Sequence, residues 1–301
     1  MSTIQNLKSQ IEDTEAIKLV AQALEEISAV QIRATRDLVK QNIAFFGEIT
    51  NVYHAVKVVA LRHKLLGEKT PLLEKNGKTI SVLLTSNEHF YGGLDQELTQ
   101  LFVEKTTTYP TDRLVIGKYG TNYLKNTAFP EPFDPIIIGK DFPTPEELKQ
   151  IVDKTYPYSK VLFYHSKFVT VLKQENEISD ISGANVEQQA GSGEFDYILE
   201  PDIDKMLYFF ENQILTLLFK AIFLESRLSR TSARMVSMYS AENNADNVLR
   251  HQRLQLSKTL RSIQNKAILE SFSANLSINK SSTNEGEMYE NIIKGLNVFG
   301  R

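Results

Sequence analysis

Apolar residues recur at alternating three- and four-residue steps along the C-terminal third of the chain: Leu207, Phe210, Ile214, Leu217, Ala221, Leu224, Leu228, then Met235, Met238, Ala245, Leu249, Leu256 and Ile263. Thirteen of the 17 positions on this seam are apolar, the exceptions being Thr231, Glu242, Gln252 and Thr259. It lasts eight heptads, which argues a coiled coil rather than a surface helix. A weaker seam runs near the N-terminus through Ile4, Leu7, Ile11, Leu24 and Ile27, and resumes at Phe45, Ile49, Val52, Val56 and Val59. Helix breakers agree with both. Residues 1–70 hold only Gly47 and Gly67 and no Pro, 202–285 hold neither, and all 9 Pro lie between. The pattern predicts two long helices joined by a compact domain, an arrangement that closes as an antiparallel coiled coil. A helix of about 65–70 residues is roughly 100 Å long, so the coil is expected to project as a rod.

The middle alternates short apolar runs with helical patterns. Strands are expected at Thr79–Thr85, Arg113–Gly117 and Pro135–Ile138, and helices at Leu94–Glu104, Tyr119–Leu124 and Pro145–Lys154, the last with Thr144 as N-cap. Lys160–Tyr164 and Phe168–Leu172 read as a hairpin around His165, Ser166 and Lys167, and Phe195–Leu199 as a last strand. Glu200-Pro201-Asp202 suits the entry to the second long helix. The expected fold is therefore α/β with long helices: an antiparallel coiled coil and a central open α/β, Rossmann-like domain. The divisions are an N-terminal helix at 1–70, the α/β domain at 71–198, a C-terminal helix at 199–272, and a polar tail at 273–301. That tail is expected to fray before a short amphipathic piece at Met288, Ile292, Ile293, Leu296 and Phe299.

Composition narrows the chemistry. The formal charge of −3 gives no bulk attraction to nucleic acid or an anionic membrane, and with no Cys there is no thiol nucleophile or cysteine metal site. No apolar run is long enough to span a bilayer, and MSTIQNLKSQ does not resemble a secretory signal. Charge is nevertheless uneven. Residues 226–270 hold eight basic and three acidic side chains, a net of +5. This stretch reads either as a solvated helix surface or as a dock for acidic protein loops.

Tyr91-Gly92-Gly93-Leu94 lies between a strand and a helix, where phosphate loops occur, but it lacks the other glycines and the lysine of a nucleotide-binding motif. Gly92 and Gly93 therefore read as a structural turn. Gly67-Glu68-Lys69-Thr70 only imitates a P-loop ending. The five His, at 54, 63, 89, 165 and 251, are too scattered for a helical metal pair. No catalytic residue, cofactor or metal is expected. Met235 and Met238 fall on the seam, with Ser237, Ser240, Ala241 and Ala245 as small neighbours that let helices approach.

One block goes further. Ser226-Arg227-Leu228-Ser229-Arg230-Thr231-Ser232-Ala233-Arg234-Met235-Val236-Ser237-Met238-Tyr239-Ser240-Ala241-Glu242-Asn243-Asn244-Ala245 is similar to E-S-x-x-S-E-x-x-A-R-M-x-A-M-x-x-A-x-x-N-A, a signature of the gamma subunit of F-type rotary ATPases. Thr85 to Asp95 resembles that family's T-S-D-R-G-L-C-G-G-L-N turn, Tyr164 to Val169 its Y-N-K-F-V, and Glu200-Pro201 its E-P. The resemblance covers about residues 1–275. Departures are specific. Asn87-Glu88-His89 stands for D-R-G, reversing a charge, and Arg230 stands where the family has an acid. In the stretch Ser257 to Ile268, where the family grips the catch loops of its catalytic subunits, only Lys258 matches outright.

The resemblance implies a non-catalytic rotor shaft, the central stalk of an F-type or F-type-like ATPase. It would couple ATP synthesis or hydrolysis in a ring of alpha-like and beta-like subunits to rotation and to proton or ion transport. It also implies an epsilon-like stalk subunit, a membrane rotor ring, and a peripheral position on the cytoplasmic side of a membrane, with no nucleic acid and no direct insertion. Residues expected to meet partners are Arg234, Met235, Met238, Asn244, Arg250, Arg253, Lys258, Arg261 and Lys266. The alternatives are the shaft of a specialised F-type-like motor that does not make ATP, a coiled-coil adaptor with a ligand-binding α/β domain, and an enzyme built on that domain.

Overall fold

The structure, a computed structural model, describes residues 2–62, 76–127, 129–181 and 203–296. Two long helices flank a five-stranded sheet. Helix α1 spans Ser2–Arg62, and α5 runs from Ile203 to Leu296, free of Gly and Pro as far as Glu285. The helix therefore continues past Phe272, where the polar composition predicts fraying. Gly286 and Gly295 are its only glycines, and Ser, Asn and Lys tolerate a helix at small cost. Glu200-Pro201-Asp202, the strand expected at Phe195–Leu199, and Gly67 to Thr70 lie outside the described residues.

Between the helices come β1 (Thr79–Leu84), α2 (Leu94–Thr106), β2 (Asp112–Ile116), α3 (Lys118–Asn126), β3 (Asp134–Ile136), α4 (Pro145–Thr155), β4 (Lys160–Phe168) and β5 (Gln174–Asp180). The sheet order is β3-β2-β1-β4-β5. The first four strands run parallel, and β5 is antiparallel to β4. Strand β4 continues through His165 and Ser166, so the hairpin turns later than the sequence suggests. The turn lies between Val169 and Lys173: Val169 N–H donates to the Lys173 carbonyl, and Thr170 and Lys173 exchange backbone hydrogen bonds. His165 and Ser166 are buried and pair with Glu177 and Asn176 across the hairpin, which makes them strand residues despite their polarity. Helix α4 opens with a capping box: Glu147 N–H donates to Thr144 Oγ1 at 3.3 Å, and Thr144 N–H to Glu147 Oε2 at 2.8 Å.

Parallel strands need both faces covered, and alternation supplies two cores. Val82, Leu84, Leu114, Ile116 and Phe163 meet Ile151 and Val152 of α4 and Phe219, Ile222 and Phe223 of α5. Leu83, Val115 and Tyr164 face the other way, onto Leu98 and Phe102 of α2 and Leu124 of α3.

The chain forms two compact units, residues 1–20 with 241–301, and residues 21–240. In the first, Lys18 Nζ meets Asp246 Oδ1 at 2.8 Å and Arg253 meets Glu15 at 2.6 Å. Numbers rise along one helix as they fall along the other, which defines an antiparallel pair. Ala245 and Leu249 are buried at its seam. In the second unit the helices are tied by Asn42, whose Nδ2 donates to the Leu217 carbonyl at 3.2 Å.

Here the α1 seam departs from expectation. Ile27, Phe45 and Val52 are about half exposed, whereas Ala21, Ser28, Thr35 and Asn42 are buried at strict heptad spacing beside Ile32, Tyr53 and Val56. Small residues bring helix backbones close, so this seam is marked by size rather than by hydrophobicity.

Candidate functional site

Every parallel strand of an open α/β sheet ends at the edge where such folds bind ligands. In this chain that edge is filled by its own turn and its own helix. The turn begins at Thr85, whose N–H and Oγ1 both donate to the Ile116 carbonyl, at 2.8 and 2.9 Å, while Oγ1 accepts from Gly120 N–H at 2.9 Å. Asn87 fastens the next segment. Its N–H donates to Asp141 Oδ1 at 2.6 Å, its Nδ2 to the Ile138 and Lys140 carbonyls, and its Oδ1 accepts from Lys118 N–H. The chain then passes through Phe90, a non-glycine residue at φ 72°, and Gly92 at φ 63°. A Cβ on Gly92 would lie 3.3 Å from Ser237 Oγ of α5, so the turn presses against that helix where only a glycine fits easily. Gly93 then caps α2.

Across this contact lies a set of charges. The Arg234 guanidinium lies over the Tyr91 ring at 4.6 Å and donates through Nη2 to Glu88 Oε2 and to the Tyr91 hydroxyl, the latter at 2.6 Å. Tyr91 in turn donates to Asp141 Oδ2. Burial, reinforced by the Asp141 charge, pushes the Tyr91 phenol far above its ordinary range, so it remains a hydrogen-bond donor. Ser86 Oγ donates to Asp95 Oδ2 at the start of α2. Burial pushes the Asp95 carboxyl up, opposed chiefly by the charge of Arg230.

Of the residues singled out in the sequence, Arg234 and Met238 are buried, Arg234 being engaged within the joint. Met235 is half-buried. Asn244, Arg250, Lys258, Arg261 and Lys266 are exposed on α5, Lys266 lying 3.9 Å from Glu270. Arg253 is exposed and paired with Glu15. Sequence reasoning missed Tyr91, Asp95 and Asp141 as members of one cluster. Its signal was the pair of reversed charges at Glu88 and Arg230, which the fold brings to the same joint.

Replacing Arg234 with Met is expected to remove about 1–3 kcal/mol of stability, from a charge-assisted hydrogen bond and a cation–π contact. The loss stays moderate because the Glu88 side chain is half exposed and regains water. Arg234→Lys should fall between the two in urea unfolding, since it keeps the charge and loses the planar stack.

A groove of about 480 Å³ lies at the opposite edge, lined by Asp112, Arg113, Asp134, Lys154 and Tyr158. Most of its polar groups are paired, Lys154 with Asp134, Tyr158 with Asp112 at 2.9 Å, and Arg113 Nη2 with the Thr106 carbonyl at 2.6 Å, while Arg113 Nε has no partner among the described residues. Among the described residues no group of three metal-binding side chains comes together, and no helix is long and apolar enough to cross a membrane.

The fold is thus of a class that joins long antiparallel helices to an α/β sheet whose ligand edge is covered by the second helix. A family model described as ATP synthase matches residues 3–264. The chain belongs to the ATP synthase gamma chain family, as a divergent member. The ATP synthase gamma chain of Clostridium beijerinckii is 26% identical over 265 residues, covering 84% of this chain and 90% of that one. That of Polynucleobacter necessarius is 23% identical over 286 residues, covering 90% and 97%. In fold, a chain in the OSCP/F1/c-ring structure of Euglena gracilis mitochondrial ATP synthase matches with a TM-score of 0.64 at 12% identity, covering 93% and 96%. One in the central stalk and c-ring structure of the Tetrahymena thermophila enzyme matches with a TM-score of 0.54 at 15% identity, covering 74% and 99%.

Proposed function

We propose that the chain is the central stalk of an F-type or F-type-like ATPase. It turns inside a ring of alpha-like and beta-like subunits and passes rotation to a membrane rotor ring on the cytoplasmic side. The observation that carries this is the family match, which runs through both helices and the domain between them. The nucleotide chemistry belongs to the partners, and the chain contributes shape, stiffness and charge. Its asymmetry holds the catalytic sites in different states, so turnover and rotation drive each other. An epsilon-like subunit on the sheet domain completes the stalk.

Co-purification of the tagged chain, read by mass spectrometry, tests the assignment. Catalytic ATPase subunits should appear in stoichiometric amounts, and their absence under mild lysis would defeat it. The isolated chain should show no tight MgATP binding by calorimetry. Micromolar stoichiometric binding would favour the ligand-binding adaptor instead.

The altered stretch from Ser257 to Ile268 favours a member with its own grip on the ring. Arg250, Lys258, Arg261 and Lys266 are all solvent-exposed on α5 and free to meet a partner. Reversing Arg261 and Lys266 to Glu is expected to weaken coupling of ATP turnover to rotation while leaving helicity unchanged, since both side chains are solvent-exposed. The defect should shrink in high salt, where the Debye length falls from roughly 10 Å at 0.1 M to about 3 Å at 1 M. Unchanged torque would reduce the basic stretch to a solvated surface.

A further inference from the structure

Arg230 is only 1% exposed, and none of its three guanidinium nitrogens has a hydrogen-bond partner among the described residues. A buried cation so placed is costly unless its hydrogens and its charge are answered. The charge is within electrostatic reach of Asp95, Tyr91 and His165. Asp95 Oδ1, His165 Nδ1 and Ser226 Oγ are themselves buried and without partners, and Ser226 lies one helical turn before Arg230. His165 Nε2 is engaged with Ser179 Oγ at 2.8 Å, and its Nδ1 donates or accepts according to the tautomer.

The joint therefore holds unmet N–H donors on Arg230 together with unmet polar atoms on Asp95, His165 and Ser226. An inorganic anion would satisfy the donors, yet it would be repelled by Asp95 and would leave Asp95 Oδ1 unanswered. An apolar filler answers neither. Water both donates and accepts, and it commonly fills such polar interiors.

We infer that Arg230, Asp95, His165 and Ser226 enclose a buried hydrated site, in which internal water joins the guanidinium to the Asp95 carboxylate and makes Arg230 its counter-charge. The site pins the start of α2 to α5, beside the direct Arg234–Glu88 contact. It adds a second tie between sheet and helix, and the inference holds whether or not the chain turns in a motor.

The test uses the full chain. Arg230→Met and Asp95→Asn are each expected to lower the urea midpoint, and the double variant to lower it by less than the sum, as coupled groups do. Arg230→Lys keeps the charge and should retain most of that coupling, and it replaces Arg230→Met in the cycle if the latter does not fold. A crystal structure should show ordered water within about 2.7–3.2 Å of both the guanidinium and Asp95 Oδ1. Additive midpoints, a direct Arg230–Asp95 contact without water, or an anion at the guanidinium would each overturn the inference.

Discussion

Leu228→Pro is expected to abolish assembly with the catalytic subunits. Leu228 is 6% exposed in the interior of α5, within a run from 202 to 285 that contains no other Pro or Gly. Proline removes an N–H from the helix ladder and drives its ring against the preceding turn, at a cost of about 3 kcal/mol or more. Losing the packed leucine adds to this. The kink would fall beside Arg230 and Arg234, so the helix would leave the turn it plugs as well as its partner helix. Circular dichroism should show lost helicity, and native mass spectrometry no complex. Leu228→Met, close in volume, should cost less than about 1.5 kcal/mol and assemble normally. His89→Ala should also assemble normally. A proline variant that assembles like the parent would mean that this seam does not hold the helices together.

Gly117→Val should be nearly as severe, through the sheet rather than the helix. Gly117 sits at φ 105°, and a Cβ there would come within 2.3 Å of the Thr85 carbonyl oxygen and 2.8 Å of its Oγ1. Thr85 cannot give way, because its hydrogen bonds to Ile116 and Gly120 hold β1, β2 and α3 together. Backbone strain of about 1–3 kcal/mol and overpacking of about 1–3 kcal/mol together predict a loss of roughly 2–6 kcal/mol. Gly77→Ala is the control. It shares the positive φ, at 70°, but a Cβ there meets nothing within 4 Å, so only about 1–2 kcal/mol of left-handed strain remains. Equal unfolding midpoints for the two variants would show that contact with Thr85 carries no weight.

Much of this architecture is legible from local pattern. The stretches poor in Gly and Pro mark both long helices, and the strands at Thr79 and Asp112 announce themselves as apolar runs because both their faces are buried. The hairpin was harder. His165 and Ser166 look like turn residues, yet the fold buries them in a strand whose partner supplies Ser179 and Asn176. The α1 seam misleads for a related reason. Periodicity scores large apolar side chains, whereas Ala21, Ser28, Thr35 and Asn42 are buried because close helix contact selects for small ones. The joint itself lies beyond local reading. Arg234 and Glu88 are separated by 146 residues, and nothing near either one names the other. Only the two reversed charges, at Glu88 and Arg230, hinted that the positions depend on each other.

The central claim is that this chain turns. It contains no Cys, so a single Cys placed at exposed Lys149 on α4 gives one thiol on which to fix a visible probe. With the catalytic ring held to a surface and ATP supplied, the probe should rotate in one direction, in steps that follow turnover. A probe that stays still while the ring hydrolyses ATP at its full rate would contradict the account.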